Sequence, residues 1–245
     1  MGNWPDASNT GVPVGVSLKP SGSLVITKPG TVINGLDISG CVTIDAADVT
    51  ITNSRIRCGS DAGAVRMSSG SLVMSHSEID GLGNAPQCIA FNNFTLQAVN
   101  IHGCEDGIKF GSNDVVENSW VHGLARGIGT HNDAMQTLGG DNDVIRGNTL
   151  DAYDAATDDP MNAAIQTGHL VEALRDVVVD GNYMDGGNYT VNAGATSTDG
   201  YPISGYVFTN NVFGHDARYG PVTGLGSGIS FDSSNVWVDT NTSVR

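Results

Sequence analysis

One short motif returns along the whole chain and limits what it can fold into. A β-branched residue, a polar residue, a β-branched residue and two or three small or polar residues lead to a closing apolar residue. It reads Val49-Thr50-Ile51-Thr52-Asn53-Ser54-Arg55-Ile56, then Val115-Val116-Glu117-Asn118-Ser119-Trp120-Val121 and Val144-Ile145-Arg146-Gly147-Asn148-Thr149-Leu150. Later copies are Val177-Val178-Val179-Asp180-Gly181-Asn182-Tyr183-Met184 and Tyr206-Val207-Phe208-Thr209-Asn210-Asn211-Val212-Phe213; weaker ones end at Ile38, Ile79, Ile101 and Val244. The closing residues step by 18 to 23 positions early and 29 to 34 later. Strands this short, alternating with period two and returning at such a step, fit the stacked coils of a parallel β-solenoid. A β-sandwich also has many short strands, but it does not call for one motif in one register. The recurring Asn is expected at a tight turn, where it tolerates left-handed backbone and can bond to the next coil. The longer later steps predict long loops on one side.

Composition agrees with this reading and removes other classes. Glycine supplies 33 of 245 residues, which disfavours helix. With 39% hydrophobic and 15% charged residues the chain can bury a core and is not disordered. No apolar run reaches the ~18 residues of a membrane span, and no signal peptide is visible. The net charge of −15 argues against duplex nucleic acid and anionic membranes. Cys41, Cys58, Cys88 and Cys104 form no C-x-x-C. They are either two bridges, which would suit a secreted or virion protein, or buried thiols, with the connectivity open.

Stacking the coils aligns their strands. The inward apolar column reads Val65, Ile89, Ile108, Met135, Ile165, Val191 and Ile229. One position on, the outward column reads Arg66, Ala90, Lys109, Gln136, Gln166, Asn192 and Ser230. The position two before the apolar residue reads Gly63, Gln87, Asp106, Asp133, Ala163, Tyr189 and Ser227. A further column follows the closing residues: Arg57, Asp80, His102, His122, Asp151, Asp185 and Gly214.

Polar groups therefore gather in the middle coils. Asp133, His131 and Asp106 are the candidate catalytic residues, Asp133 as leading acid/base with Asp106 its partner. Gln136, Gln166, Lys109, Arg126, His122, His169 and Tyr189 are candidate substrate-binding residues, since amides offer sugar hydroxyls both donors and an acceptor. Asp106 and Asp133 equally fit turn-capping carboxylates, and Gln136 with Gln166 a plain amide ladder. The ladder Asp80, His102, His122, Asp151 reads as paired surface charges, with a metal or acid/base site as the alternative. The acidic stretch Asp151–Pro160 lacks the spacing of a regular calcium loop. It is expected to wall the groove as a solvated loop, so no cofactor is required, with Ca²⁺ as the candidate ion.

The Val-x-Ile-x-Asn coils, Glu105-Asp106-Gly107-Ile108-Lys109-Phe110, His131-Asn132-Asp133-Ala134-Met135-Gln136 and the opening Trp4–Pro13 segment resemble right-handed parallel β-helix proteins of the pectate-lyase-like superfamily. They are similar in particular to β-helix domains of secreted actinobacterial proteins and of phage tails. The resemblance covers nearly the whole chain from about residue 20. It implies an all-β, single-stranded right-handed parallel β-helix over residues 1–245, with 1–20 as a lead-in or cap. It also implies an extracellular or virion-associated polysaccharide-active enzyme acting on a secreted or cell-surface glycan. A glycoside hydrolase fits better than a lyase, because the acidic chain opposes a polyanionic substrate. The Arg and Asp-rich calcium motif of pectate lyases is not recognisable, nor are the full paired-Asp and Gly-His-Gly signatures of polygalacturonases. The alternatives are a non-catalytic carbohydrate- or receptor-binding module, such as a phage tail or adhesin domain, and a purely structural solenoid. No membrane insertion is expected, while an oligomer or a longer natural chain would cover the solenoid's end.

Overall fold

A computed structural model describes residues 4–195 and 200–245. Every regular element among them is a β-strand, and every strand pairing is parallel. The chain is a right-handed parallel β-helix, the hand that twisted strands impose on parallel crossovers. Each coil contributes to three ladders. In one coil, Trp120–Val121 lies in the first sheet, Asp133–Thr137 in the second and Gly140–Arg146 in the third. The next coil repeats this with Thr149–Ala152, Ala163–Thr167 and Leu174–Asp180, paired in register.

The closing residues form the core of the first sheet. Ile38, Ile56, Ile79, Ile101, Val121, Leu150, Met184 and Phe213 stack from coil to coil and are all fully buried. Burying each aliphatic side chain contributes roughly 1.5–3 kcal/mol. In the second sheet Val65, Ile89, Ile108, Met135, Ile165 and Val191 stack as the spacing predicts. The last member differs: Val222, not Ile229, pairs with Val191, so Thr223 and Gly220 replace Ser230 and Ser227 in the neighbouring columns. Ile229–Phe231 is a third-sheet strand paired with residues 206–208. Likewise Trp237, not Val244, stacks on Phe213; the chain then turns back, and Ser243 bridges Val236 antiparallel.

The recurring Asn resolves into two adjacent columns with different jobs. Residues 53, 76, 98, 118, 147, 181 and 210 all adopt left-handed backbone, with φ between 46° and 66°. Asn and Gly dominate this column because they carry least strain there. The next residue is a buried ladder: Ser119 N donates to Asn148 Oδ1, Asn148 N to Asn182 Oδ1, Asn182 N to Asn211 Oδ1 and Asn211 N to Asn235 Oδ1, at 2.8 to 3.2 Å. Ser54 and Ser77 begin the same column, at 3.1 Å. A buried N–H needs a partner, and each coil supplies it to the one before.

Both cysteine pairs are disulfides, Cys41–Cys58 and Cys88–Cys104, each spanning one coil. The lead-in lies along the outside of the solenoid. The Trp4 ring packs 5.9 Å from that of Tyr183, Gly11 N donates to Ala98 O at 3.0 Å, and the chain enters the first coil at Lys19. Residues 1–3 of the lead-in lie outside the described residues.

Candidate functional site

The second sheet carries the cluster expected from the sequence. Lys109, Gln136 and Gln166 occupy one outward column, with Lys109 paired to Gln136 and Gln136 to Gln166. Adjacent strands lie about 4.8 Å apart, so the three polar heads form a row across the strands. Asn192 continues it, and Tyr189 on the same strand sets its ring 5.7 Å from that of Tyr219.

Asp106 and Asp133 lie beneath this row, not on it. Asp106 is 3% exposed and Asp133 fully buried. Parity explains this: a residue two positions before an inward residue also points inward. The carboxylates do cap turns, as Asp133 N donates to Asp106 Oδ1 at 3.0 Å. They also hold the row. Asp106 Oδ2 pairs with Lys109 Nζ at 3.1 Å, and Asp133 Oδ2 accepts Gln136 Nε2 at 3.3 Å. Asp133 Oδ1 accepts Asn162 Nδ2 at 2.7 Å. Burial, reinforced by the Asp106 charge, pushes the Asp133 carboxyl up to about 8. Burial also raises Asp106, with Lys109 opposing.

The turn into the third sheet holds a similar pair beside an exposed amide ladder, Asn93, Asn113 and Asn142, whose side chains bond to one another and not to the carboxylates. Asp114 N donates to Asp143 Oδ1 at 2.9 Å, and Asp114 accepts Gly111 N and Phe94 N. Burial raises these carboxyls to about 7 and 8. Stacked buried carboxylates are thus a building device of this solenoid; coupling to outward polar heads distinguishes Asp106 and Asp133.

The loops bring Arg126 and the acidic stretch to one edge of the second sheet. Arg126 grips Asp159 through Nε at 2.6 Å and Nη2 at 2.9 Å. Its Nη1 donates to Thr130 O and Asn132 Oδ1, and buried Asn132 donates to Glu105 O and Ala125 O. Arg126 holds the Asp159 carboxyl below the usual range. The two loops border a cleft of about 760 Å³ with Arg218 on its far side. Asp151, Asp154 and Asp158 turn onto local N–H and hydroxyl groups. Among the described residues no three His, Cys, Asp or Glu side chains converge as a metal site.

The other expected residues fall elsewhere. His131 is exposed in the loop before Asp133, with no hydrogen bond among the described residues. His122 belongs to the first sheet, stacked between Trp120 and His102, with Nε2 2.8 Å from Asn100 Oδ1. Burial lowers it to about 4, helped by the His102 charge. Its neighbour His102 meets Glu78 Oε1 at 3.2 Å, part of a paired-charge ladder. His169 is buried, its ring nitrogens facing Tyr201 O and Gly194 O, so it ties down a loop. Asn162 was not singled out by sequence reasoning. Its signal is a column one position upstream, where Asn132, Asn162 and Asn188 fall in register.

Comparison with known proteins finds no family model that matches the chain and no curated relative.

Proposed function

We propose that the protein binds an extended polysaccharide along the outward row Lys109, Gln136, Gln166 and Asn192, as a carbohydrate-recognition β-helix of pectate-lyase-like type. The observation that carries this is the pinning of Lys109 and Gln136 by buried carboxylates. Side chains held in place lose less entropy on binding, and amides suit hydroxyl recognition. Tyr189 and Tyr219 offer an aromatic platform at one end, and the Arg126–Asp159 clamp borders the other edge. The two disulfides support an extracellular or virion-surface setting, where thiols stay oxidised.

A glycoside hydrolase is the second reading, favoured by one observation. A carboxyl raised to about 8, as at Asp133, is protonated at neutral pH, as a general acid must be. Its burial under Gln136 and Asn162 favours binding over cleavage. The test is Asp133→Asn against a panel of plant and bacterial glycans, scoring bound polymer and reducing ends separately. Retained binding with lost cleavage supports the hydrolase. Weakened binding with no cleavage by either form supports recognition alone. Unchanged binding and cleavage removes Asp133 from both.

A further inference from the structure

An apolar trough of about 420 Å³ lies just past the ends of the second-sheet strands. Lys109 is followed by Phe110 and Gly111, and Gln136 by Thr137, Leu138 and Gly139, so the trough sits on the turns that directly follow the strands of the row. Phe91, Leu138 and Val171 form its walls and are 47%, 44% and 62% exposed. Glycines open the floor. A Cβ on Gly111 would lie 2.1 Å from Asn92 Oδ1, and one on Gly139 2.6 Å from Glu172 Cγ.

Two polar residues, Asn92 and Glu172, are among its lining. Asn92 Oδ1 accepts Ser112 N at 2.9 Å, which turns its Nδ2 away as a donor with no partner among the described residues. Glu172, exposed in the bend that precedes the strand Leu174–Asp180, also lines the trough and offers a carboxylate acceptor. Apolar walls, one amide donor and one acceptor match three parts of an acetamide: methyl, carbonyl oxygen and N–H. A hydroxyl or a charged uronate would leave the walls unmatched, and the chain's charge of −15 further opposes the uronate.

We propose that this trough seats the N-acetyl group of an amino sugar in the bound polysaccharide, a refinement that rests on the recognition face described above. Two soluble probes separate the claims: chitohexaose and cellohexaose share a β-1,4-linked glucose backbone and differ at C2, acetamido against hydroxyl. Isothermal titration of the intact chain should show chitohexaose bound about tenfold more tightly, or better. Asn92→Asp keeps the acceptor for Ser112 N and removes the donor; Val171→Asp charges an exposed wall. Each should bring the two affinities within about twofold while cellohexaose binding holds. Equal binding of both probes by the wild type, binding of neither, or a preference that survives both substitutions overturns the proposal. An O-acetylated cello-oligosaccharide bound as tightly as chitohexaose overturns the N–H part. Gln136→Ala tests the underlying face separately: if it leaves both affinities intact while Asn92→Asp removes the preference, the trough stands and the amide row fails.

Discussion

Gln136 is tethered within its own strand by Asp133, Nε2 to Oδ2 at 3.3 Å, just as Lys109 is tethered by Asp106 at 3.1 Å one coil earlier. The tether ties a buried carboxylate, which the coil needs for its turn, to a polar head at the surface. A structural requirement thereby orders the face that meets solvent.

Asp133→Ala should therefore act in two places. Asn162 Nδ2 and Gln136 Nε2 both lose an acceptor. Unfolding free energy should fall by about 1–3 kcal/mol, measured by denaturant titration. The crystal structure of the variant should show Gln136 in more than one rotamer. A fully stable variant with Gln136 unmoved would break the link.

The buried carboxyls set a pH dependence. Asp143 Oδ2 is buried without a hydrogen-bond partner, and burial pushes this carboxyl up to about 8. Its folded value thus lies above the unfolded 3.8. The folded state holds the proton more tightly, so the stabilisation is complete below the unfolded value. It is lost as pH rises towards about 8. One such group gives a slope of at most about 1.4 kcal/mol per pH unit. The melting temperature should be higher at pH 5 than at pH 8. Self-repulsion of a chain carrying −15 acts in the same direction, so the decisive comparison is Asp143→Asn. That variant should keep the Asp114 N–H partner and show a flatter profile; an unchanged slope would contradict the assignment.

The Asn ladder is the coil-to-coil fastener. Asn182 accepts from Asn148 and donates to Ile145 O and Asn211 Oδ1, all buried. Asn182→Ala should cost more than about 2 kcal/mol, because several buried groups lose their partner together. Both effects are read from the melting temperature: Asn118→Gly, in the left-handed column one residue before Ser119, should be nearly neutral, because the exposed Asn118 side chain makes no hydrogen bond among the described residues.

The coil repeat and the stacked columns were legible in the sequence because a parallel solenoid puts equivalent residues in register. Legibility failed where that repetition weakens. The last second-sheet strand is Gly220–Thr223, whose pattern is fainter than that of Ile229–Phe231, so the stronger alternation drew the column onto the wrong sheet. Alternation alone puts Lys109, Gln136 and Gln166 in one outward column, as the strand pairing has them, and the same parity turns Asp106 and Asp133 inward, beneath the groove they are expected to line. His122 and His169 looked near the row along the chain, yet one faces another sheet and the other is buried against loop carbonyls. Trp4 packing on Tyr183 joins residues too far apart in sequence for any repeat to signal.

The most direct test of the recognition face is glycan-array binding of the wild type beside Gln136→Ala/Gln166→Ala and a control, Arg146→Ala, whose half-exposed side chain lies on the third sheet. The account predicts that the wild type and the control bind the same polysaccharides. The double variant, folded by circular dichroism, should lose at least about tenfold in affinity, as removal of two positioned hydrogen-bonding groups implies. A double variant that binds every glycan as the wild type does would contradict it.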